Sequence, residues 1–398
     1  MQASSQFLAL LSESATIAMS RKSREMRAQG LDIINLSLGE PDFDTPDFIK
    51  EAAITGIHEN YTHYMAVNGY EDLRQAIAHK FKRDNGIEYS PEQIVVSTGA
   101  KQSLANVILS LLNEGDEAIL LAPYWVTYKE QVNMCKAIPV VIQTELEADY
   151  KVSPEQLDAA INDKTKLIVF NSPSNPTGSI YSKQELDAIA EVLKKYNNVY
   201  IISDEIYEHI SYGEKHISLA SYPELYDRVI TINGVSKAFA MTGWRIGYIG
   251  APAWIAKACT KIQGQFTSGA SGISQRATLA AVSADPKEIQ PMVEVFHKRR
   301  DLMLEGLNQI EGMITNTPGA AFYVYPDVSS FYGKSYKDHQ IKNSTDLCTF
   351  LLEVGHVALV PGEAFGTEKH IRLSYATSEE NIREACKRIK NTLELLTA

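Results

Sequence analysis

The chain of 398 residues has no long apolar run, no excess of basic residues and little cysteine. No stretch holds the roughly 20 successive apolar residues of a transmembrane helix, so we expect no membrane span. Residues 1–11 lack the basic start and cleavage site of a secretory signal. The formal net charge of −11 disfavours nucleic acid as a partner, because binding to phosphate backbones needs lysine and arginine.

The four cysteines are scattered, with no C-x-x-C pair: Cys135, Cys259, Cys348 and Cys386. This spacing predicts neither a disulfide framework nor a metal site, and it favours a reducing compartment. We therefore expect a cytoplasmic protein. The sequence also lacks the G-x-G-x-x-G fingerprint and the P-loop, which disfavours a nucleotide-binding α/β protein.

Short apolar runs alternate with helical segments from Ile94 onward. The predicted strands are Ile94–Ser97, Ala118–Leu121, Ile138–Ile142, Leu167–Phe170, Val199–Ser203, Val229–Ile232 and Ile246–Ile249. Such runs are typical of strands that are covered on both faces. The pattern predicts an α/β fold, with a mostly parallel seven-stranded sheet flanked by helices.

The length favours two domains. Residues 1–46 are predicted to form an N-terminal arm and part of a small domain, and residues 47–290 the large domain. Residues 291–398 are predicted to complete the small domain, which reads as α+β. Ligands of parallel sheets bind beyond the carboxyl ends of the strands, so the residues there are the candidates for a site.

A lysine follows the strand Val229–Ile232, in the turn Asn233-Gly234-Val235-Ser236-Lys237. Partial desolvation lowers the pKa of such an amine and makes it a candidate Schiff-base nucleophile. Arg245, eight residues on, carries a planar group that suits a phosphate. Taken alone, the stretch fits a surface lysine and a packing arginine better.

Two other strand ends carry features of a ligand site. Ser97-Thr98-Gly99-Ala100-Lys101 joins a strand to a helix, and Gly99 would let the backbone N–H groups approach an anion. An ordinary turn explains this segment equally well. Trp125 could stack on a flat ligand or belong to the core.

A rigid loop and an acidic strand end complete the candidates. Asn171–Gly178 holds two prolines and a glycine, which would fix the Asn175 amide as a donor, and one X-Pro bond is expected to be cis. Asp204 ends a strongly apolar strand and needs a cationic partner, such as a protonated ring nitrogen. Tyr207 could reach the same space. For this motif alone, a helix N-cap is the commoner role of the aspartate.

Together and in this order, the motifs resemble the fold-type I pyridoxal-phosphate aminotransferases of class I/II, and within them the prokaryotic subgroup of aspartate aminotransferases. The matching segments are Gly39–Phe43, Asn171–Gly178, Ser203–Tyr207, Ser236–Tyr248 and Arg372–Ala376. The resemblance covers essentially the whole chain. Its motifs are highly specific for fold and cofactor, and less so for substrate.

The resemblance implies catalytic roles for three residues. Lys237 would form the Schiff base with the aldehyde of pyridoxal 5'-phosphate (PLP) and shuttle the substrate α-proton. Asp204 would keep the pyridine nitrogen protonated, so that the ring acts as an electron sink. Tyr207, with Asn175, would hydrogen-bond the phenolic oxygen. Trp125 would stack on the ring.

The same resemblance implies how phosphate and substrate are held. Gly99, Ala100, Lys101, Ser236 and Arg245 would bind the phosphate, and Tyr64 would reach the phosphate in the other subunit of a homodimer. Arg372 would clamp the α-carboxylate, beside Gly39, Trp125 and Asn175. Lys101 and Thr16 would bind the distal carboxylate of an acidic amino acid. Many relatives have a serine at the position of Gly234, so one phosphate contact differs here.

The implied activity is transfer of the amino group of L-aspartate to 2-oxoglutarate. The expected partners are small-molecule substrates, namely amino acids and 2-oxo acids, and a second subunit that shares the active sites, with no nucleic acid and no membrane. Alternatives within the family act on aromatic amino acids, prephenate or alanine, or are β-lyases. A transcriptional regulator that borrows the fold would need an added DNA-binding domain, which the length and charge disfavour.

Overall fold

The computed structural model describes Leu8, Leu11 and residues 15–397, with side chains from Ile17 within the latter range. The helices are α1 Ala15–Ala28, α2 Asp47–His58, α3 Glu71–Lys80, α4 Ala100–Leu111, α5 Thr127–Met134, α6 Pro154–Ala160, α7 Lys183–Leu193, α8 Ala253–Phe266, α9 Gly272–Ser283, α10 Gln290–Leu307, α11 Ser344–Glu353 and α12 Glu379–Leu393. The strands of the large sheet are β2 Ile94–Ser97, β3 Glu117–Ala122, β4 Ile138–Gln143, β5 Thr165–Asn171, β6 Tyr200–Asp204, β7 Val229–Gly234 and β8 Gly247–Gly250. The remaining strands are β1 Ile34–Asn35, β9 Tyr323–Val324, β10 Ser335–Tyr336, β11 His339–Gln340, β12 Val357–Ala358, β13 Val360–Pro361 and β14 Ile371–Ser374.

The large sheet has the strand order β2-β8-β7-β6-β5-β3-β4. Strand β8 is antiparallel to both of its neighbours, and the other neighbouring pairs are parallel. The prediction of a mostly parallel seven-stranded sheet is therefore confirmed. Asn171 pairs in register with Asp204, and Asp204 with Ile232, so the ends of three neighbouring strands reach the same edge.

Alternate residues of the strands face two separate hydrophobic layers, as the two-residue repeat of a strand requires. Ile168 and Ile201 belong to the layer covered by α3, α7 and α9. Leu167 and Ile202 belong to the layer covered by α4, α5 and α8. Both faces of the sheet are covered by helices, which explains why its strands are continuous apolar runs in the sequence.

A third core joins the N-terminal segment to the C-terminal part of the chain. Ile34 and Leu36 share it with residues of α10, α11, α12 and β14. Strand β1 pairs in parallel with β12, and β13, β14 and β9 form an antiparallel sheet. This packing fits the proposed division into residues 1–46 with 291–398 and residues 47–290, which remains a prediction.

The structure refines several boundaries. The repeat of Leu73, Ile77 and Phe81 predicts one helix over Tyr70–Asn85, whereas the structure has α3 followed by a π-helical turn at Phe81–Asn85. The sequence also predicts a strand over Ala320–Tyr325, but only β9 forms there, because Ala321 adopts a positive φ of 57° and interrupts it. Among the helices at residues 15–397, none is long and apolar enough to cross a membrane.

Candidate active site

A cavity of about 390 Å³ lies beyond the carboxyl ends of β5, β6 and β7. The structure brings eleven of the predicted residues into its wall: Gly39, Ala100, Lys101, Trp125, Asn175, Asp204, Tyr207, Ser236, Lys237, Arg245 and Arg372. These residues come from both ends of the chain and from the sheet. The cavity is therefore assembled between the large sheet and the core that contains the N- and C-terminal segments.

The Lys237 amine donates a hydrogen bond to the backbone carbonyl of Gly39. Burial, and then the positive charge of Arg372, lower the pKa of Lys237 to about 8. A fraction of the amine is consequently neutral near pH 7, as a nucleophile requires. Gly39 itself has no room for a side chain, because a Cβ there would lie 2.5 Å from the Tyr323 hydroxyl.

Asp204 is buried at the end of β6. Its Oδ2 accepts a hydrogen bond from the Tyr128 hydroxyl at 2.7 Å, and its Oδ1 accepts one from the Ile206 N–H at 3.3 Å. Burial raises the pKa of Asp204 to about 6, although the hydrogen bonds from Tyr128 and Ile206 act in the opposite direction. Among the described residues, no cationic side chain forms an ion pair with this carboxylate. A cationic ligand group would supply what the site lacks.

Arg372 is buried on β14 and is held in place by neutral groups. Its Nη1 donates to Asn175 Oδ1 at 2.9 Å, and its Nη2 donates to the Ser37 carbonyl at 2.7 Å. The guanidinium lies 4.5 Å from the centre of the Tyr323 ring. Nε is buried and has no partner in the described part of the chain. This arginine is oriented and lacks an anion, which suits it to bind a carboxylate.

Asn175 and Tyr207 present donors beside Arg372. Because arginine can only donate, its bond to Asn175 Oδ1 fixes the amide and leaves Nδ2 as the donor for a ligand. Asn171 Oδ1 accepts a hydrogen bond from the Asn175 backbone N–H at 2.9 Å. The Tyr207 hydroxyl lies 2.8 Å from that of Tyr323. One of the two hydroxyl hydrogens is used in the bond between them, and the other is free to be donated to a ligand.

An anion cradle forms where β2 meets α4. Gly99 is the N-cap of α4, with a positive φ of 81°, and a Cβ there would lie 2.3 Å from Arg245 Nη2. The first N–H groups of α4, at Ala100 and Lys101, have no intrahelical acceptor. The side chains of Ser236 and Arg245 line the same cavity. These donors together fit a phosphate.

Gly234, the position at which the resemblance implied a serine, has little room for a side chain. A Cβ would lie 3.0 Å from the Ile246 carbonyl and 3.1 Å from the Gly247 Cα. A side chain at position 234 would therefore require β7 and β8 to shift slightly.

Lys101 and Trp125 lie together in the cavity wall. The Lys101 amine is 5.0 Å from the centre of the Trp125 ring. Partial burial, followed by the charge of Arg245, lowers the pKa of Lys101. No carboxylate in the described residues pairs with it, so a second cation besides Arg372 is available to a ligand.

Gly99 and Tyr64 are the predicted residues, among those that the structure describes in full, that do not line this cavity. Tyr64 is fully exposed, in the loop between α2 and α3, and borders a separate surface depression near Gly272. Its predicted role requires another subunit. Thr16 lies in α1, but its side chain is outside the described residues. The next residue, Ile17, does line the cavity.

Tyr128, Tyr323 and Asn171 also contact the site residues, although no sequence pattern assigned them a role. Tyr128 follows Trp125 by one helical turn, which was the only local signal for it. Asn171 is the first residue of the matching segment Asn171–Gly178. Its Nδ2 donates to the Asp204 carbonyl at 2.9 Å. Tyr323 lies 116 residues from its partner Tyr207, and no local pattern connects the two.

The model of the family "Aminotransferase class I and II" matches residues 31–389. The chain is 47% identical to the probable aspartate/prephenate aminotransferase of Rhizobium leguminosarum over 386 residues, which cover 96% of each protein. It is 45% identical to the aspartate/prephenate aminotransferase of Nitrosomonas europaea, covering 98% of this chain and 99% of the relative. The chain therefore belongs to the class I and II aminotransferases.

Solved structures confirm the fold type. The crystal structure of the aspartate aminotransferase from Rhizobium meliloti superposes with a TM-score of 0.96 at 40% identity and covers both chains completely. That of the Thermus thermophilus enzyme with maleate has a TM-score of 0.91 at 40% identity, covering 98% of this chain and all of the other. The protein has the fold-type I architecture and is an aminotransferase.

Proposed function

We propose that this protein is a PLP-dependent aspartate aminotransferase, which converts L-aspartate and 2-oxoglutarate to oxaloacetate and L-glutamate. The observation that carries the proposal is a cavity that holds Lys237, with its lowered pKa, together with two cations that have no anionic partner among the described residues, Arg372 and Lys101. A dicarboxylic amino acid matches this arrangement. The relatives' printed names support the same substrate.

The residues present fit PLP. The first N–H groups of α4, with Ser236 and Arg245, match its phosphate, and the unpaired carboxylate of Asp204 matches a protonated pyridine nitrogen. The Trp125 ring is available for stacking. When bound, PLP supplies an electron sink that acidifies the substrate Cα–H bond.

The chain's own groups would bind and move protons at stated atoms. Lys237 Nζ, with its pKa of about 8, can take a proton from the substrate α-carbon and return it. Asp204 would hold a proton on the ring nitrogen. The Tyr207 hydroxyl and Asn175 Nδ2 would donate to the phenolic oxygen.

Substrate orientation would come from two cations. Arg372, braced by Asn175 and Ser37, would bind the α-carboxylate through a two-point contact. Lys101 would bind the distal carboxylate, and the resemblance gives Thr16 the same role. The favoured substrate then has two carboxylates, whereas alanine and phenylalanine leave Lys101 without an anion.

The protein is proposed to work as a homodimer with shared active sites. Tyr64 is an aromatic residue with complete exposure, and it borders a depression formed with residues 269–273. In a dimer this side chain would complete the phosphate site of the other subunit. A cytoplasmic location remains the expectation from the cysteine content.

The test is an absorbance spectrum of the purified protein loaded with PLP. Adding L-aspartate without a keto acid should bleach the visible band, and 2-oxoglutarate should restore it. Bleaching by alanine or phenylalanine but not by aspartate would keep the cofactor and reject the substrate. Bleaching by glutamate, reversed by prephenate faster than by oxaloacetate, would favour the alternative amino acceptor. A protein that takes up no PLP would overturn the proposal.

A further inference from the structure

A buried polar cluster lies outside the cavity wall, on the opposite side of the segment Ser203–His209. We define the cluster as Lys80, Asn85, Glu208 and Asn233. Lys80 and Asn233 are each 2% exposed and Glu208 is 7% exposed. None of the four lines the active-site cavity. Buried charges at such positions require full pairing.

The π-helical turn after α3 builds one side of the cluster. Because a π-helical turn aligns residues i and i+5, it brings Asn85 next to Lys80, and the Lys80 amine donates to Asn85 Oδ1 at 3.0 Å. The same amine is paired with Glu208 Oε1, and Asn85 Nδ2 donates to Glu208 Oε2 at 2.7 Å. An uninterrupted α-helix would not align these two residues.

Asn233 connects this cluster to the turn that carries the catalytic lysine. Its Nδ2 donates to Glu208 Oε1 at 2.7 Å, and its Oδ1 accepts a hydrogen bond from the Gly234 N–H at 2.7 Å. Only Val235 separates Gly234 from the pair Ser236 and Lys237. Asn233 is thus a rigid link from a charged pair to the start of the turn.

Glu208 reaches the cluster from the segment that also carries Asp204 and Tyr207. These two residues line the cavity, whereas Glu208 is held by Lys80, Asn85 and Asn233. The segment is therefore tied on its far side to the same cluster that holds the Lys237 turn. Two walls of the cavity share one support.

We propose that Lys80, Glu208 and Asn233 are positioning residues, which hold the turn bearing Ser236 and Lys237 in register with the segment bearing Asp204 and Tyr207. The inference rests on the proposed function, because its purpose is to fix the PLP-binding groups. The cluster touches neither cofactor nor substrate. It acts through the backbone of Gly234 and of the segment Ser203–His209.

A metal site is the other interpretation of this region. Ligand atoms of Glu205, Glu208 and His216 lie within 4.8 Å of one another. However, Lys80 already supplies a cation to Glu208, and both Glu208 oxygens accept hydrogen bonds from side chains of the cluster. A metal would have to displace the lysine, so the contacts favour a structural support.

The test compares Asn233→Ala with Tyr89→Phe in the full-length holoenzyme. The control removes a buried hydrogen bond to the same strand, since the Tyr89 hydroxyl lies 3.1 Å from Thr231 Oγ1, but it leaves the turn untouched. We expect Asn233→Ala to weaken PLP retention in equilibrium dialysis about tenfold, the loss expected for a hydrogen bond to a charged group. The pH midpoint of the visible band should shift as well. Tyr89→Phe should change neither.

Glu208→Gln provides a second arm, which also serves if Asn233→Ala does not fold. If Asn233 acts through Glu208, the double variant that combines both substitutions should bind PLP as tightly as the single variant with the lower PLP affinity. Fully additive losses would contradict the proposal, as would equal losses in Tyr89→Phe or a normal PLP affinity and pH midpoint in folded Asn233→Ala. Failure of the unaltered protein to bind PLP would instead refute the proposed function.

Discussion

Buried charges occur in two neighbouring regions of this protein, and their surroundings differ. In the cavity, Asp204, Lys237 and Arg372 form no ion pair with any described residue. In the buried polar cluster, Lys80 and Glu208 pair directly and their remaining atoms are hydrogen-bonded. Burial destabilises a charge in both places, so unpaired charges mark where a ligand belongs and paired charges mark a support.

The pKa values show the same contrast. Burial raises the pKa of Asp204 and lowers that of Lys237, because each would be easier to bury uncharged. Burial alone would raise the pKa of Glu208 too, yet Lys80 keeps it below its usual value. Asp204 and Lys237 therefore titrate near neutral pH, whereas Glu208 stays ionised there.

Removal of the catalytic amine should have the largest effect. Lys237→Ala should lower kcat by more than about a thousandfold, because the Lys237 amine is the group proposed to form the Schiff base and move the α-proton. Lys237→Arg, which keeps a positive charge but offers no nucleophile, is the matched control and should be equally inactive. Noncovalent PLP binding should persist in both variants. Activity close to that of the unaltered protein in either would end the assignment.

The second prediction tests paired against unpaired charges through stability. Glu208→Ala should lower the free energy of unfolding by about 3 kcal/mol, since it removes the nearest anion from the buried Lys80 amine and leaves only the Asn85 amide oxygen and the Asp84 carboxylate, at 3.7 Å, beside it. Asp204→Asn should not destabilise the PLP-free chain near pH 7, because it removes a charge that has no ionic partner. Denaturant unfolding of both variants and of the unaltered protein measures these free energies. Equal destabilisation would show that the two regions do not differ in this way.

The pH dependence of stability sharpens this test. The pKa of Asp204 is raised to about 6 in the folded chain, so its contribution to stability is present below its unfolded pKa of about 4 and is lost as the pH rises through 6. The stability difference between Asp204→Asn and the unaltered PLP-free protein should therefore grow from pH 4 to pH 7 in favour of the variant. A constant difference would contradict the raised pKa.

Lys101 should affect only substrates that carry a second carboxylate. Lys101→Ala should weaken transition-state binding of aspartate, measured as kcat/KM, by about 2 kcal/mol. The kcat/KM values for alanine and phenylalanine should change much less. Lys101→Met keeps most of the apolar contact with the Trp125 ring and separates charge from packing. Equal losses for all three amino acids would assign Lys101 to the phosphate or the fold instead.

The smallest predicted effect concerns Tyr128. Tyr128→Phe removes a hydrogen bond that favours the ionised form of Asp204, so the pKa of Asp204 should rise. Loss of a hydrogen bond that contributes about 1 kcal/mol corresponds to a pKa shift of somewhat less than one unit. The acidic limb of the kcat/KM profile should move to higher pH by that amount. Tyr181→Phe is the control, because that buried hydroxyl accepts a hydrogen bond from the Val152 N–H instead. An unmoved acidic limb would separate Tyr128 from the titration.

Much of the cavity was predictable because its residues follow strands directly. Asp204 and Lys237 stand at ends of short apolar runs, and parallel strands bring such ends to one edge. The partners of these residues were not predictable in the same way. Tyr323 and Lys80 reach their partners across 116 and 128 residues of sequence. Lys80 lies on the apolar face of α3 with Leu73 and Ile77, but nothing local indicates which distant acid pairs with it.

The sequence by itself determined the order of strands and helices, the motif residues and the family, because periodicity, turn chemistry and motif spacing are local properties of the chain. Only the tertiary structure decided which charges are paired, since burial and ion pairing depend on contacts between distant segments. The shifted pKa of Lys237, the orientation of Arg372 and the support behind Asn233 all arise at that level. Physically, the local pattern sets where a side chain emerges, and the packing of other elements sets the dielectric and the partners that it meets.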